Sequence, residues 1–509
     1  MSPSFVRNTL LGFGSGAAVA LAGFIGNAVA ARLLGPERLG VFAYVVWCVT
    51  IASMIAGMGI SIVQQRFIPS LRAEGRNVEA DGLIGATTRL SLLAALVGSL
   101  ILCGYLVWPG ATATAGPSRT AVIALAVTWF FCWKMADLYL FHLRGEQRFG
   151  ELAHLSSYSA LTKLAVIALG AWLFGIPGAL AGYIAGNVLP AARSVRLLRT
   201  APVVHQPLRG EVIRFALPSW VAAVIGGLVF GRTEIVFLQH YTGLAAVGLF
   251  AAAATVAEMA VQLPPLLLSA LLPRFSEQYG QRANEQMQRL YRSMTALLAL
   301  LILPLCLGLA AVAPVLVPFF FGAEFSGAAP VASVLLLAAA VSSLGVTTAY
   351  LLQGMGKAGF LLISNGVGLA GTVALGFLLV PHFGLMGAAW SRGIVQVTVV
   401  LIETYYVTRR SGISPPYRVL GAIALAALAQ GATAYFLSIE IGGAISLLVS
   451  IPAAIVVYFI ALHVLSVMSM VDPELTSRLV TKAPHKIRPL IYRLLKLPTP
   501  PERDLSEPD

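Results

Sequence analysis

Residues 293–319 read Ser293-Met-Thr-Ala-Leu-Leu-Ala-Leu-Leu-Ile-Leu-Pro-Leu-Cys-Leu-Gly-Leu-Ala-Ala-Val-Ala-Pro-Val-Leu-Val-Pro-Phe319, without one charged side chain. A hydrocarbon core about 30 Å thick is crossed by about 20 apolar residues rising 1.5 Å each. This stretch is therefore long enough to span a bilayer, and the same ruler finds others on both sides of it. Spans are predicted near 10–33, 40–63, 83–107, 120–143, 152–174 and 178–198, then near 215–238, 246–271, 293–319, 331–352, 360–380 and 388–407, with a last pair near 418–437 and 444–468. The expectation is an all-α polytopic membrane protein of about fourteen transmembrane helices. With 58% hydrophobic and 11% charged residues, a water-soluble fold has nowhere to put the apolar surplus. No gap between spans is long enough for an extramembrane catalytic domain.

The net charge of +13 does not point to nucleic acid, because the basic residues are scattered through short gaps rather than gathered on one face. They act as topology signals. With the amino terminus inside, the inner segments hold 27 of the 34 Lys and Arg residues and the outer ends hold Arg32, Arg38, Arg119 and Arg392. Both termini are thus expected to be cytoplasmic. Ala28-Val29-Ala30 resembles a signal-peptide cleavage site, but the apolar run before it exceeds twenty residues and is read as the first span. Cys48, Cys103, Cys132 and Cys306 all fall in apolar runs, which argues against a disulfide framework or a zinc site. No phosphate-cradling loop ending in Gly-Lys-Ser/Thr, no HExxH pair and no GxSxG elbow is present. No cofactor or metal is expected.

The chain also matches itself. Gly35-Pro-Glu-Arg-Leu-Gly40-Val-Phe-Ala43 aligns with Gly243-Leu-Ala-Ala-Val-Gly248-Leu-Phe-Ala251 at an offset of 208; Gly145, Arg148 and Gly150 align with Gly354, Lys357 and Gly359 at 209; Phe174-Gly-Ile-Pro-Gly178-Ala179 aligns with Phe383-Gly-Leu-Met-Gly387-Ala388, again at 209. Three matches at nearly one spacing, each joining the corresponding helix pair, imply a duplication of six helices. An even number keeps both copies in one orientation, so the halves should relate by an axis along the membrane normal. The expected domains are an N-lobe over 1–205, a C-lobe over 206–410, an extra helix pair over 411–468 and a cytoplasmic tail over 469–509. In the tail, Ile487, Leu490, Ile491, Leu494 and Leu495 form an apolar stripe within the basic stretch His485–Lys496, either an amphipathic helix on the inner surface or a tail without fixed structure.

Ionisable residues inside spans are the site candidates, since each costs roughly 2.5–3.5 kcal/mol on insertion scales unless it faces a cavity or a partner. Lys134 and Asp137 stand three apart on the fourth span, where they form either a self-neutralised pair or a substrate contact. Lys163, with Trp129, Trp133 and Tyr158 near it in sequence, either meets an anionic ligand or is a second partner for Asp137. Arg232 and Glu234, two apart, point to different faces and need separate partners; Arg232 alternatively snorkels to the outer surface. Glu258 has no basic residue within a turn and suits either proton exchange or a neutral, hydrogen-bonded acid near Gln262. Arg392 and Glu403 lie near opposite ends of the twelfth span, where both can anchor at the interface. Pro218, Pro264, Pro265, Pro304 and Pro314 interrupt second-half helices as hinges or static kinks.

Ala31-Arg-Leu-Leu-Gly-Pro-Glu-Arg-Leu-Gly-Val-Phe-Ala43, Arg144-Gly-Glu-Gln-Arg-Phe149, Phe321-Gly-Ala-Glu-Phe325 and Pro381-His-Phe-Gly-Leu-Met-Gly-Ala-Ala389 resemble the polysaccharide-transport branch of the multidrug, oligosaccharidyl-lipid and polysaccharide exporter superfamily, over nearly the whole chain to about residue 408. The resemblance implies two six-helix lobes facing a central cavity and alternating access. It implies a flippase in the bacterial inner membrane that carries an undecaprenyl-pyrophosphate-linked oligosaccharide outward for O-antigen, exopolysaccharide or related polysaccharides. Lys134, Lys163, Arg232 and Arg392 are the cations to hold the headgroup; Asp137, Glu234 and Glu258 are the acids for ion coupling or cavity pairing. Implied partners are the lipid-linked oligosaccharide, membrane lipids, and polymerase and assembly proteins. A cation-coupled multidrug exporter shares the fold. A membrane glycosyltransferase or polymerase is opposed by the short outer loops, and a non-transporting scaffold by the charges inside spans.

Overall fold

The computed structural model describes residues 3–108, 118–202, 206–268 and 271–467, so the expected stripe at His485–Lys496 lies outside the described residues. The helices are α1 (Pro3–Ile55), α2 (Ile60–Ala73), α3 (Asn77–Val107), α4 (Arg119–Gly145), α5 (Phe149–Phe174), α6 (Ile176–Ser194), α7 (Gln206–Phe230), α8 (Glu234–Tyr241), α9 (Leu244–Leu268), α10 (Leu271–Gly280), α11 (Asn284–Phe321), α12 (Ala329–Gly354), α13 (Ala358–Ser411), α14 (Tyr417–Ile441) and α15 (Ile445–Val464). Among the described residues there is no strand. Among the described residues, eleven helices are long and apolar enough to cross a membrane. This differs from the expected fourteen at three places: α1 and α13 each run as one helix across two predicted spans, and α6 is not among the eleven.

The two long helices are broken by glycine. Gly35 takes φ 72° and ψ 173° inside α1, and Gly384 takes φ 52° and ψ −125° inside α13. Positive φ is costly for any residue with a Cβ, so both breaks are written into the sequence. Pro36, with its fixed φ and no N–H to lose, starts the second half of α1.

Helix α6 is short on hydropathy for a packing reason. Gly178, Gly182 and Gly186 recur every fourth residue, and a Cβ at any of them would overlap α5: at the Gly170 carbonyl, at Ile167, and at Ser159 O with the Lys163 side chain. Small residues at this spacing let two membrane helices approach to backbone contact. The α5–α6 turn at Gly175 (φ 64°, ψ −133°) is nearly the conformation of Gly384, 209 residues later. A Cβ at Gly387, the match of Gly178, would strike the Leu379 carbonyl just as one at Gly178 strikes Gly170, and Leu379 is 209 residues after Gly170.

The chain divides into two compact units: Met1–Met259 with Phe320–Ala328 and Asn365–Val395, and Ala260–Phe319 with Ala329–Ser364 and Gln396–Asp509. In the first, α1 and α9 cross at a reciprocal glycine contact. A Cβ at Gly40 would fall on the Leu244 carbonyl, and one at Gly248 on the Pro36 carbonyl. Away from the spans, the Arg72 guanidinium binds Asp81 at 2.6 Å and Glu146 at 2.9 Å, tying the α2–α3 turn to the α4–α5 turn. The Glu146 hydrogen bond raises the pKa of Arg72 above its ordinary value.

In the second unit, α14 and α15 dock on a proline kink. Pro304 has no N–H, so the Leu300 carbonyl one turn earlier loses its helical partner. The Tyr458 hydroxyl supplies the missing donor at 2.9 Å, and Gln430 Nε2 donates to the Pro304 carbonyl at 3.2 Å. Tyr458→Phe is expected to lower stability by about 1 kcal/mol, the worth of a typical buried hydrogen bond. Thermal unfolding in detergent checks this, with a control: in a Pro304→Ala background the carbonyl regains its helical partner and Tyr458→Phe should be nearly silent.

Candidate functional site

The site starts from a broken helix. The predicted span 215–238 is not continuous: α7 ends at Phe230, residues 231–233 leave the helix, and α8 resumes at Glu234. A helix that stops inside the bilayer leaves carbonyl groups without N–H partners. Arg392 of α13 supplies them, donating from Nη1 to Gly231 O at 2.6 Å and from Nη2 to Phe230 O at 3.0 Å. Its guanidinium also lies 3.6 Å from Glu234 Oε2, and the two side chains are only 9% and 1% exposed. Arg392 is therefore not the interface anchor that its place near a span end suggests, because the broken helix needs a donor more than the headgroups do.

Unwinding also frees Arg232 to reach across to α9. Its Nε donates to Glu258 Oε1 at 2.7 Å and its Nη2 to Glu258 Oε2 at 2.6 Å, a bidentate pair, while Nη2 also reaches Thr255 Oγ1 at 3.3 Å. Asn27 Nδ2 approaches the same hydroxyl at 3.5 Å. Neither snorkelling by Arg232 nor an isolated Glu258 describes this arrangement, since each is the other's partner. Their side chains remain 21% and 35% exposed. They open onto a cavity of about 320 Å³ within the first unit, lined also by Asn27, Trp47, Thr50, Tyr183 and Thr255 over an apolar wall that includes Phe42, Val46 and Phe321.

Lys163 stands behind that wall. Its Nζ lies 4.1 Å from the centre of the Tyr183 ring, a cation–π contact, and Tyr183 packs on Trp129 at 4.5 Å, which stacks on Trp133 at 5.5 Å. The partner of Lys163 is thus an aromatic face of the cavity wall rather than Asp137. Lys134 is placed elsewhere: buried, it donates to Ser53 O at 3.3 Å, and Trp220 Nε1 donates to Met54 O at 3.2 Å. The two cap the carbonyl end of α1, where positive charge is favoured. Asp137 is within electrostatic range of Lys134 and Arg144. Glu403, also expected at the interface, is buried in the second unit and accepts a 2.8 Å hydrogen bond from Ser364.

A model of the family described as "Polysaccharide biosynthesis protein" matches residues 5–279, which include Arg232 and Glu258. The chain belongs to this family. It is 21% identical over 405 residues to the "Probable low-salt glycan biosynthesis flippase Agl15" of Haloferax volcanii, covering 78% of this chain and 82% of the relative. Among solved structures, the lipid II flippase MurJ in an inward closed conformation superposes with a TM-score of 0.72 at 13% identity, over 90% of this chain and 98% of that one. An inward-facing multidrug resistance MATE transporter of the MOP superfamily gives 0.64 at 16%, over 77% and 94%. At these identities the likeness establishes the fold alone, one that this chain shares with both solved structures.

Within this family member, the internal duplication carries site residues that span-by-span reading missed. Thr50 is 208 residues before Glu258, and Trp47 is 208 before Thr255; all four line the cavity. Tyr183 is 209 residues before Arg392. Thr255 was also within reach of helical spacing, three residues before Glu258 on one face. Asn27 had no comparable signal.

Proposed function

We propose that this chain is a flippase that moves a lipid-linked oligosaccharide from the inner to the outer leaflet for surface polysaccharide synthesis. The observation that carries the reading is the Arg232 guanidinium opening onto a cavity at the break of a spanning helix. A guanidinium fork matches the oxygens of a pyrophosphate bidentately. The rings of Trp47 and Tyr183 on the same cavity offer flat faces to a sugar, and a polyprenyl tail stays in lipid. Family membership and the glycan flippase relative support the same substrate class.

In this reading the carrier is undecaprenyl pyrophosphate, the membrane is the bacterial inner membrane and both termini are cytoplasmic. Lobes 1–205 and 206–410 rock in alternating access, with the pair 411–468 appended. Lys163 adds positive potential through the Tyr183 wall, Arg392 and Glu234 hold the break open, and Lys134 with Asp137 steadies the end of α1. Polymerase and assembly proteins take the product.

Deleting the gene should leave lipid-linked units accumulating on the cytoplasmic leaflet, measured by lipid extraction and leaflet-selective labelling. Units that reach the outer leaflet normally would end the proposal. Arg232→Ala should fail to restore export in that strain, and Arg232→Lys, which keeps the charge but not the fork, should restore it in part. The MATE likeness keeps cation-coupled export of small molecules as a second reading, marked by drug-resistance changes in the deletion strain with glycolipid distribution unaltered.

A further inference from the structure

The two arginine–carboxylate pairs at the break are built differently. Arg392 spends its donors on the Gly231 and Phe230 carbonyls, which are fixed by the backbone, and its carboxylate partner Glu234 is 1% exposed. Neither member can leave without stranding the other. Arg232 and Glu258 meet side chain to side chain, with 21% and 35% exposure towards a cavity. Among the described residues, the hydrogen bonds of the Glu258 carboxylate come only from Arg232, and no protein acceptor is bound to Arg232 Nη1.

A carboxylate set bidentately on a guanidinium presents a pair of oxygens much like the pair that a phosphate group presents. An anion entering the cavity therefore finds its natural partner already neutralised. It gains little unless the carboxylate gives way, because an already neutralised guanidinium offsets little of the cost of desolvating a second anion. We propose that Glu258 is the resident ligand of Arg232, holding the place that a phosphate-type oxyanion takes, so that headgroup binding is an exchange of carboxylate for phosphate. This rests on the flippase reading of the cavity. It makes Glu258 a residue that sets affinity: the carboxylate returns to Arg232 as the headgroup leaves, which weakens binding and eases release. Thr255 is suited to serve both states, since its hydroxyl contacts Arg232 Nη2 while donating to its own helix at Ala251 O, 2.7 Å away.

The test uses the purified full-length protein in detergent, titrated calorimetrically with inorganic pyrophosphate and, separately, with farnesyl pyrophosphate, which separates a free phosphate from a lipid headgroup. Glu258→Gln removes the competing charge yet leaves an amide oxygen for Arg232. It is expected to tighten farnesyl pyrophosphate binding by at least about tenfold, equivalent to ~1.4 kcal/mol. Glu258→Asp, one methylene too short for the bidentate contact, should tighten it by less, and Arg232→Ala should abolish it. Tightening for pyrophosphate alone would recast the ligand as a free phosphate and overturn the headgroup assignment. Unchanged or weaker binding in Glu258→Gln, with Arg232→Ala still abolishing it, overturns the exchange and leaves the flippase reading standing. Binding indifferent to Arg232, or no binding of either probe to any variant, overturns the exchange and the cavity as headgroup site together. Should Glu258→Gln not fold, the Asp variant decides by the same criterion. Leaflet distribution of glycolipid in the deletion strain remains an independent check on the flippase reading.

Discussion

Arg392→Ala is expected to cost the folded protein about 3–5 kcal/mol, the range for removing one member of a buried ion pair. The loss has two parts. The Phe230 and Gly231 carbonyls lose the donors that satisfy them inside the bilayer, and Glu234, 1% exposed, keeps a charge with nothing to offset it. The variant should show a large fall in thermal midpoint and in monodisperse yield from detergent. Arg392→Ala with Glu234→Gln should recover part of the loss, because the stranded charge is gone while the carbonyls remain unsatisfied. Arg392→Lys should lie between, since one ammonium cannot span both carbonyls as the fork does. A wild-type midpoint for Arg392→Ala would mean that the break in α7–α8 is held by something other than this guanidinium.

Gly40→Ala and Gly248→Ala should be comparably damaging, although each adds one methyl group. Overpacking usually costs about 1–3 kcal/mol because side chains can shift aside. Here the obstacle is a backbone carbonyl, Leu244 O for Gly40 and Pro36 O for Gly248, and a carbonyl within a helix has no rotamer to change. The helices must separate, opening the α1–α9 crossing beside a cavity that both line. Each variant should lose transport in cells as well as stability in detergent. The double variant should cost much less than the sum, since one separation relieves both clashes. Gly23→Ala in the same helix α1, where a Cβ meets nothing within 4 Å, is the control and should be close to neutral.

The membrane class, most of the spans and the candidate charges were legible because each is a local property. A run of apolar residues partitions into lipid on its own account, and a Lys, Arg or Glu inside it is costly whatever surrounds it. Gly35 and Gly384 were legible as matched turn positions, and the structure adds that each breaks a helix that otherwise runs on through two predicted spans. The span 215–238 reads as unbroken because the polar run Gly231-Arg-Thr-Glu234 is equally what charged side chains on a continuous helix give, and a dip in hydropathy does not by itself mark an unwound turn. Its opening depends on Arg392, some 160 residues away, replacing the lost helical donors. Glu258 reads as isolated because helical spacing reaches only residues of its own helix, whereas its partner, Arg232, comes from the preceding span.

Local chemistry along the chain thus supplies the parts: apolar helices of membrane length, a duplicated glycine pattern at offsets of 208 and 209, and a few ionisable groups that need partners. The partners themselves come from how the helices pack. Arg232 took Glu258, Arg392 took two carbonyls and Glu234, Lys163 took the Tyr183 ring, and Lys134 took the end of α1. The physical reason is that insertion into lipid depends on one segment at a time, while a charge is satisfied at hydrogen-bond distance. That distance is set by which helix packs against which, and helical spacing within one span carries no record of it.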